Sequence, residues 1–200
     1  CEAADKIHVR YTPYVPLTDV EAALAPDARR IHPERSDNIA AHHHTVKGDM
    51  AKGFAEASHV IEREYEVGFQ EHAYIEPEVV LTWLDPTDGS LIISGSIQNP
   101  HRVRSFVAKF MGCPQSQINV KRAVMGGSFG GKDDIIDHLA CRSALMTRLT
   151  GRPVKFTYTR EQSIIESCKR HPYKMKYRAG VDDNGRILAI KIDILADSGG

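Results

Sequence analysis

Two hundred residues can form one large domain or two small ones, and a chain of that length can bury roughly 70% of its unfolded surface. Its 26 basic and 26 acidic residues cancel, so no net field draws it to nucleic acid or to an anionic membrane. No apolar run approaches the ~20 residues that span a bilayer.

In chain order, the start at Cys1-Glu2-Ala3-Ala4-Asp5 has no signal-peptide pattern and no initiator Met. Lys6 to Tyr11 can form a short strand, and Thr18 with Glu21 fits a capping box for a helix through Leu24. Residues 1–25 thus read as the tail of a preceding small α/β domain. Residues 26–48, rich in Pro, His, Asp, Asn and Arg, read as a linker. Within it, His42-His43-His44 could take up a stray metal, but a solvated loop accounts for it better. Asp49 is placed to cap a short helix ending before Ser58.

From His59 the pattern is β: Ile61, Tyr65 and Val67 share one face, and Glu62, Glu64 and Glu66 the other. Strands Val79 to Leu84 and Leu91 to Ile97 flank the turn Asp85-Pro86-Thr87-Asp88-Gly89. Asn99-Pro100 opens a helix with the stripe Val103, Phe106, Val107, Phe110 and Met111, stopped by Gly112 and Pro114. A strand follows from Ile118 to Val124. After a glycine loop, Asp134 to Leu149 form a helix with Ile135, Ile136, Leu139, Met146 and Leu149 on one face. Val154, Phe156 and Tyr158 alternate as a strand. Tyr173 to Ala179 and Ile187 to Leu195 form a hairpin around Asp182-Asp183-Asn184-Gly185. Lys174, Lys176 and Arg178 are its exposed face. Hairpins mixed with helices predict an α+β fold of mixed sheets rather than a regular βαβ array. Gly199-Gly200 comes straight after a strand, and both ends read as cuts through a longer polypeptide.

The loop itself, Gly126-Gly127-Ser128-Phe129-Gly130-Gly131-Lys132-Asp133, lies between strand and helix. Glycines let backbone approach a ligand, and a helix N-terminus adds free N–H groups and a positive dipole end, which together suit an oxygen-rich anion. Gly126 to Lys132 also fits G-x-x-x-x-G-K, the first part of a phosphate-binding loop. That motif needs Ser or Thr next, and here Asp133 and Asp134 follow, which would repel a polyphosphate. A plain glycine turn with Asp133 or Asp134 as helix N-cap also fits. Cys1, Cys113, Cys141 and Cys168 are widely spaced without a C-x-x-C pair, so reduced thiols in a cytoplasmic protein are the default, not a disulfide framework or metal cluster.

Several separated blocks occur in one order: Gln70-Glu71-His72-Ala73-Tyr74-Ile75-Glu76-Pro77, Ser96-Ile97-Gln98-Asn99-Pro100, Ser105 to Gly112, and the glycine loop. Gly151-Arg152-Pro153-Val154, Arg160-Glu161, Arg170-His171-Pro172 and Ala196-Asp197-Ser198-Gly199 follow. Together they resemble the molybdenum-binding subunit of the xanthine dehydrogenase and aldehyde oxidase family, with residues 49–200 as the N-terminal part of its molybdopterin-binding domain. The resemblance implies an oxidoreductase that hydroxylates a purine-like nitrogen heterocycle or an aldehyde with water-derived oxygen. Its cofactor would be molybdenum–molybdopterin, plain or as a dinucleotide, with no protein side chain on the metal. Electrons would pass to iron–sulfur clusters and FAD on partner domains or subunits, in an oligomeric enzyme.

The resemblance further implies cofactor contacts at Gln70, Gly127, Phe129 and Gly130. Gln70 would approach an oxygen of the metal centre, and the Phe129 N–H would face the same oxygen while its ring walls the pocket. Asp133 stands where purine-hydroxylating members carry a substrate-contacting glutamate, one methylene longer. The main catalytic base is expected beyond residue 200, so a piece of this length would be inactive alone. Glu71, His72 and Glu76 read as structural, with His72 expected to hydrogen-bond the Gln70 strand end. A nucleotide-binding module and a non-catalytic scaffold relative are the competing readings.

Overall fold

Alternation of apolar residues with glutamates from His59 onward builds the strand β1 (His59–Val67), and the hairpin near the end of the chain supplies β6 (Tyr173–Val181) and β7 (Ile187–Ala196). The computed structural model, which describes residues 5–198, pairs them as an antiparallel sheet in the order β1-β6-β7. Register sets Glu62 opposite Arg178 and Glu64 opposite Lys176, and the side chains meet at 2.9 and 3.0 Å. Lys174 turns instead to Glu21 at 2.8 Å and Asp19 at 3.5 Å. The basic stripe of β6 is therefore neutralised by its neighbours. Exposed pairs of this kind add little stability, but they disfavour slipped registers.

This sheet, with α1 (Val20–Ala23) and α2 (Met50–Glu56), belongs to one compact unit, made of the chain up to Val67 and again from Pro172. Asp49 caps α2 by accepting from the Lys52 N–H at 3.0 Å. Asp19, not Thr18, caps α1, accepting from Ala22 at 3.0 Å. Lys6 to Tyr11 form no strand: their backbone makes no ladder with a neighbouring strand. Residues 26–48 contain no helix or strand, only turns, bends and irregular backbone.

The second unit runs from Gly68 to His171. Its four-stranded sheet has the order β4 (Ile118–Arg122), β3 (Leu91–Gly95), β2 (Val79–Leu84), β5 (Val154–Thr157). β2 pairs antiparallel with both β3 and β5. β3 and β4 are parallel, joined through α3 (Pro100–Met111). The fold is α+β, with β3–β4 as the one parallel pair of neighbours in this sheet. Asn99 caps α3 through the Arg102 N–H at 3.2 Å, and Gly112 closes it in the left-handed region.

Val103 and Val107 of α3 pack with Ile136 and Leu139 of α4 (Ile135–Thr150) and with Val80, Leu91 and Ile93 of the sheet, all fully buried. Each such side chain contributes about 1.5–3 kcal/mol. Four residues expected on the helix stripes point outward: Phe106, Phe110, Met146 and Leu149. Beside that apolar core, helix α4 also joins a buried hydroxyl cluster, with Thr82 of β2 at 2.8 Å from Ser143 and 2.6 Å from Thr147. A further helix, α5 (Arg160–Glu166), starts at a capping box of Thr159 and Gln162 that the apolar pattern does not reveal. Among the described residues no helix is long and apolar enough to cross a membrane.

Candidate functional site

Residues 70–77 contain no regular element and are held by polar clamps. Gln70 and Arg170 form an isolated bridge, with N–H···O distances of 3.4 and 2.9 Å. The Glu71 carboxylate accepts from Lys169 at 2.7 Å, Ser167 at 2.8 Å and the His72 N–H at 3.0 Å. Burial works against its charged form, but Lys169, Ser167 and the Ala73 N–H outweigh it and hold the carboxyl below its usual range. Arg160 at the start of α5 donates to the Tyr74 and Ile75 carbonyls at 2.6 and 2.7 Å.

Against this segment lies the glycine loop. The Gly126 N–H donates to Glu76 Oε2 at 2.6 Å. Lys132 has no exposed surface; its Nζ donates to Glu76 Oε1 at 3.2 Å and Ser96 Oγ at 3.1 Å, and lies 4.7 Å from the Tyr74 ring centroid. Burial again disfavours the Glu76 charge. Hydrogen bonds from Ser96, the Gly126 N–H and Lys132 prevail and lower its pKa. Ser128 bonds Gln98 through its hydroxyl, and the Gln98 N–H donates to the Lys132 carbonyl at 3.2 Å. The blocks 70–77, 96–98 and 126–132 are thus one packed assembly.

Gly127 and Gly130 adopt φ of +94° and +98°, which other residues reach only with strain. Phe129 sits at φ +52° with 78% of its surface exposed, so it does not anchor the loop in the core. Among the described residues, the N–H groups of Gly127, Ser128, Phe129 and Gly130 have no hydrogen-bond acceptor. Gln70 is exposed, and its side-chain amide donates only to the Glu71 carbonyl, at 3.3 Å.

Two expectations are corrected here. Asp133 is not the helix cap: α4 begins at Ile135, and Asp134 occupies the cap position without a side-chain cap bond. Asp134 is drawn away to Arg102, which also holds Asp137 at 2.8 Å. Asp133 is half-buried, and its Oδ1 has no partner. His72 does not secure Gln70 through its side chain. Its Nδ1 is enclosed without a partner, and its ring packs beneath Gly130 and Gly131.

Glu71 and Glu76 are occupied by lysines, and among the described residues no group of three His, Cys, Asp or Glu side chains could hold a metal ion. The residue that the sequence pattern does not single out is Lys132, which fits there only as a phosphate-binding lysine. Its burial depends on Glu76 and Ser96, both distant in sequence, so no local signal marks it.

This α+β architecture and its glycine loop are those of a known class. The chain belongs to the molybdopterin cofactor-binding domain family, which it matches over residues 31–200. It is similar to the nicotinate dehydrogenase large molybdopterin subunit of Eubacterium barkeri, 34% identical over 99% of this chain and 45% of that protein. It is also similar to the xanthine dehydrogenase of Dictyostelium discoideum, 31% identical over 99% of this chain and 14% of that protein. Among solved structures, the aldehyde oxidoreductase of Desulfovibrio gigas superposes with a TM-score of 0.87 at 30% identity, over 98% of this chain and 21% of that one. The chain spans less than half the length of these relatives. The resemblance to molybdenum-binding subunits of xanthine dehydrogenases and aldehyde oxidases, read from the separated motif blocks, holds.

Proposed function

We infer that the chain forms one wall of the molybdopterin site in a molybdenum hydroxylase that oxidises a nitrogen heterocycle or an aldehyde with water-derived oxygen. The observation that carries this reading is the row of unpaired N–H groups at residues 127–130, on a loop whose two ends are fixed by Glu76. Such preorganised donors suit an oxygen on which negative charge develops. The donor set fits the cofactor: it is backbone-rich, and Glu76, the carboxylate that holds both ends of the loop, is already bonded to a lysine.

When bound, the molybdopterin cofactor supplies the redox chemistry. The chain's own residues bind and orient. The Gln70 amide and the Phe129 N–H would donate to an oxygen of the cofactor, and Gly127 and Gly130 would let the backbone approach it. The exposed Phe129 ring offers a flat apolar surface beside a planar substrate. Asp133 is half-buried with its Oδ1 enclosed, and the exposed part of its carboxylate would accept a hydrogen bond from a substrate ring N–H. Relatives named for nicotinate and xanthine support the heterocycle, and the aldehyde oxidoreductase structure supports the aldehyde. The partners that would take up its electrons are iron–sulfur and FAD domains or subunits.

The nucleotide-binding reading loses its key group: the Lys132 ammonium is enclosed by Glu76, Ser96 and Tyr74 and cannot serve a phosphate. The deciding experiment is metal and pterin analysis of the intact enzyme from molybdate-replete cells, with turnover on nicotinate, hypoxanthine and benzaldehyde. The expected result is stoichiometric molybdenum with heterocycle oxidation. A folded protein lacking both would establish the scaffold reading instead.

A further inference from the structure

Burying an ammonium is costly unless it is paired and hydrogen-bonded, and apolar side chains of similar size often serve stability as well as a buried ion pair does. The Lys132–Glu76 pair therefore calls for a role other than filling space. Its geometry supplies one. Glu76 Oε2 takes the Gly126 N–H at 2.6 Å, and Oε1 takes Lys132 Nζ at 3.2 Å. Both ends of the loop 126–132 are bound to one carboxylate. Inside the loop, the Gly131 N–H donates to the Ser128 carbonyl at 2.8 Å and the Lys132 N–H to Ser128 Oγ at 3.2 Å. Those bonds fold the interior of the loop inward and leave the N–H groups of 127–130 without intrachain acceptors. A Cβ at Gly131 would lie 2.5 Å from the Tyr74 ring, so the loop has no room to settle deeper.

We propose that Glu76 and Lys132 are positioning residues: they close the loop as a clasp and fix the orientation of its free N–H groups toward the cofactor. This rests on the reading of the loop as cofactor-facing. An apolar pair could replace their volume but not the acceptor for Gly126, so fold stability and loop order separate on substitution.

The test uses the intact enzyme and the variants E76L/K132M and E76Q, with amide exchange at Gly126, Gly131 and Lys132 and molybdenum content as readouts. The double variant keeps the wild-type melting temperature within a few degrees, raises exchange at those amides by about tenfold, and loses most of its molybdenum. E76Q keeps an acceptor but loses the charge; it raises exchange by about threefold and retains more molybdenum than the double variant. Wild-type exchange at the three amides in either variant overturns the clasp, and E76Q alone decides if the double variant fails to fold. Wild-type enzyme free of molybdenum overturns the functional reading instead, since exchange is measured independently of cofactor.

Discussion

Lys132 Nζ lies 3.2 Å from Glu76 Oε1, yet the two partners differ in exposure: the lysine side chain is fully enclosed, while the carboxylate keeps 36% of its surface in solvent. Removing either one is therefore not equivalent. Glu76→Leu strands a buried ammonium and should cost about 3–5 kcal/mol, whereas Lys132→Met leaves a carboxylate that can turn to water and should cost about 1–2 kcal/mol. Urea denaturation of the two single variants gives the order directly, and a larger loss for Lys132→Met would contradict it.

The acid limb of stability follows from the same clamps. Glu71 and Glu76 are both held below their ordinary value of 4.5 in the folded chain. A carboxyl lowered on folding stabilises fully above that ordinary value, and the contribution disappears as pH falls through the lower, folded value. The melting-temperature gap between wild type and the Glu71→Gln, Glu76→Gln double variant should be constant from about pH 7 to about pH 5 and shrink steadily toward about pH 3. A gap that widens in acid would show that these carboxyls are not the groups responsible.

Phe129 combines a left-handed backbone with a solvent-facing ring. Phe129→Gly should relieve strain and change stability by about +0.5 to +1 kcal/mol while forfeiting almost no apolar burial. Substrate affinity should fall if the ring is the flat surface proposed to lie beside a heterocycle. A destabilised Phe129→Gly protein would mean that the ring packs against something in the intact enzyme.

Asp133→Ala separates substrate contact from helix capping. Asp133 does not cap α4 and its Oδ1 is unpartnered, so the melting temperature should stay within about 2 °C of wild type. Turnover on nitrogen heterocycles should drop by about tenfold to a hundredfold, the range of a charge-assisted hydrogen bond, with molybdenum content unchanged. Unchanged kinetics would remove Asp133 from the site.

Much of this fold is written in local pattern. The Glu62, Glu64, Glu66 alternation, the Asp-Asn-Gly turn and the Asn99-Pro100 start each act within a few residues, and each element formed where they indicated. Helix faces were less legible. Phe106 and Phe110 fit the stripe as well as Val103 and Val107 do, and only the neighbouring sheet and α4 decide which pair turns inward. Helix α5 is short, and its Ile164 and Ile165 remain exposed, so it carries almost no amphipathic signal. In the candidate site, the glycines announce the loop, but the Lys132 environment does not exist until residues 76 and 96 arrive by folding.

β1 and β6 are neighbours in one sheet, yet the whole of the second unit is threaded between them in the chain. Val67 and Tyr173 are register partners at the mouth of that insertion, and inside it Gln70 and Arg170 already bridge its entry and exit. Joining strands across so long a flexible segment carries a closure entropy, which a folded insert has largely absorbed by drawing its own ends together. The expected kinetic order is therefore insert first and three-stranded sheet second. Loosening the Gln70–Arg170 crossing should slow the docking of β6 on β1 more than it slows the collapse of the insert.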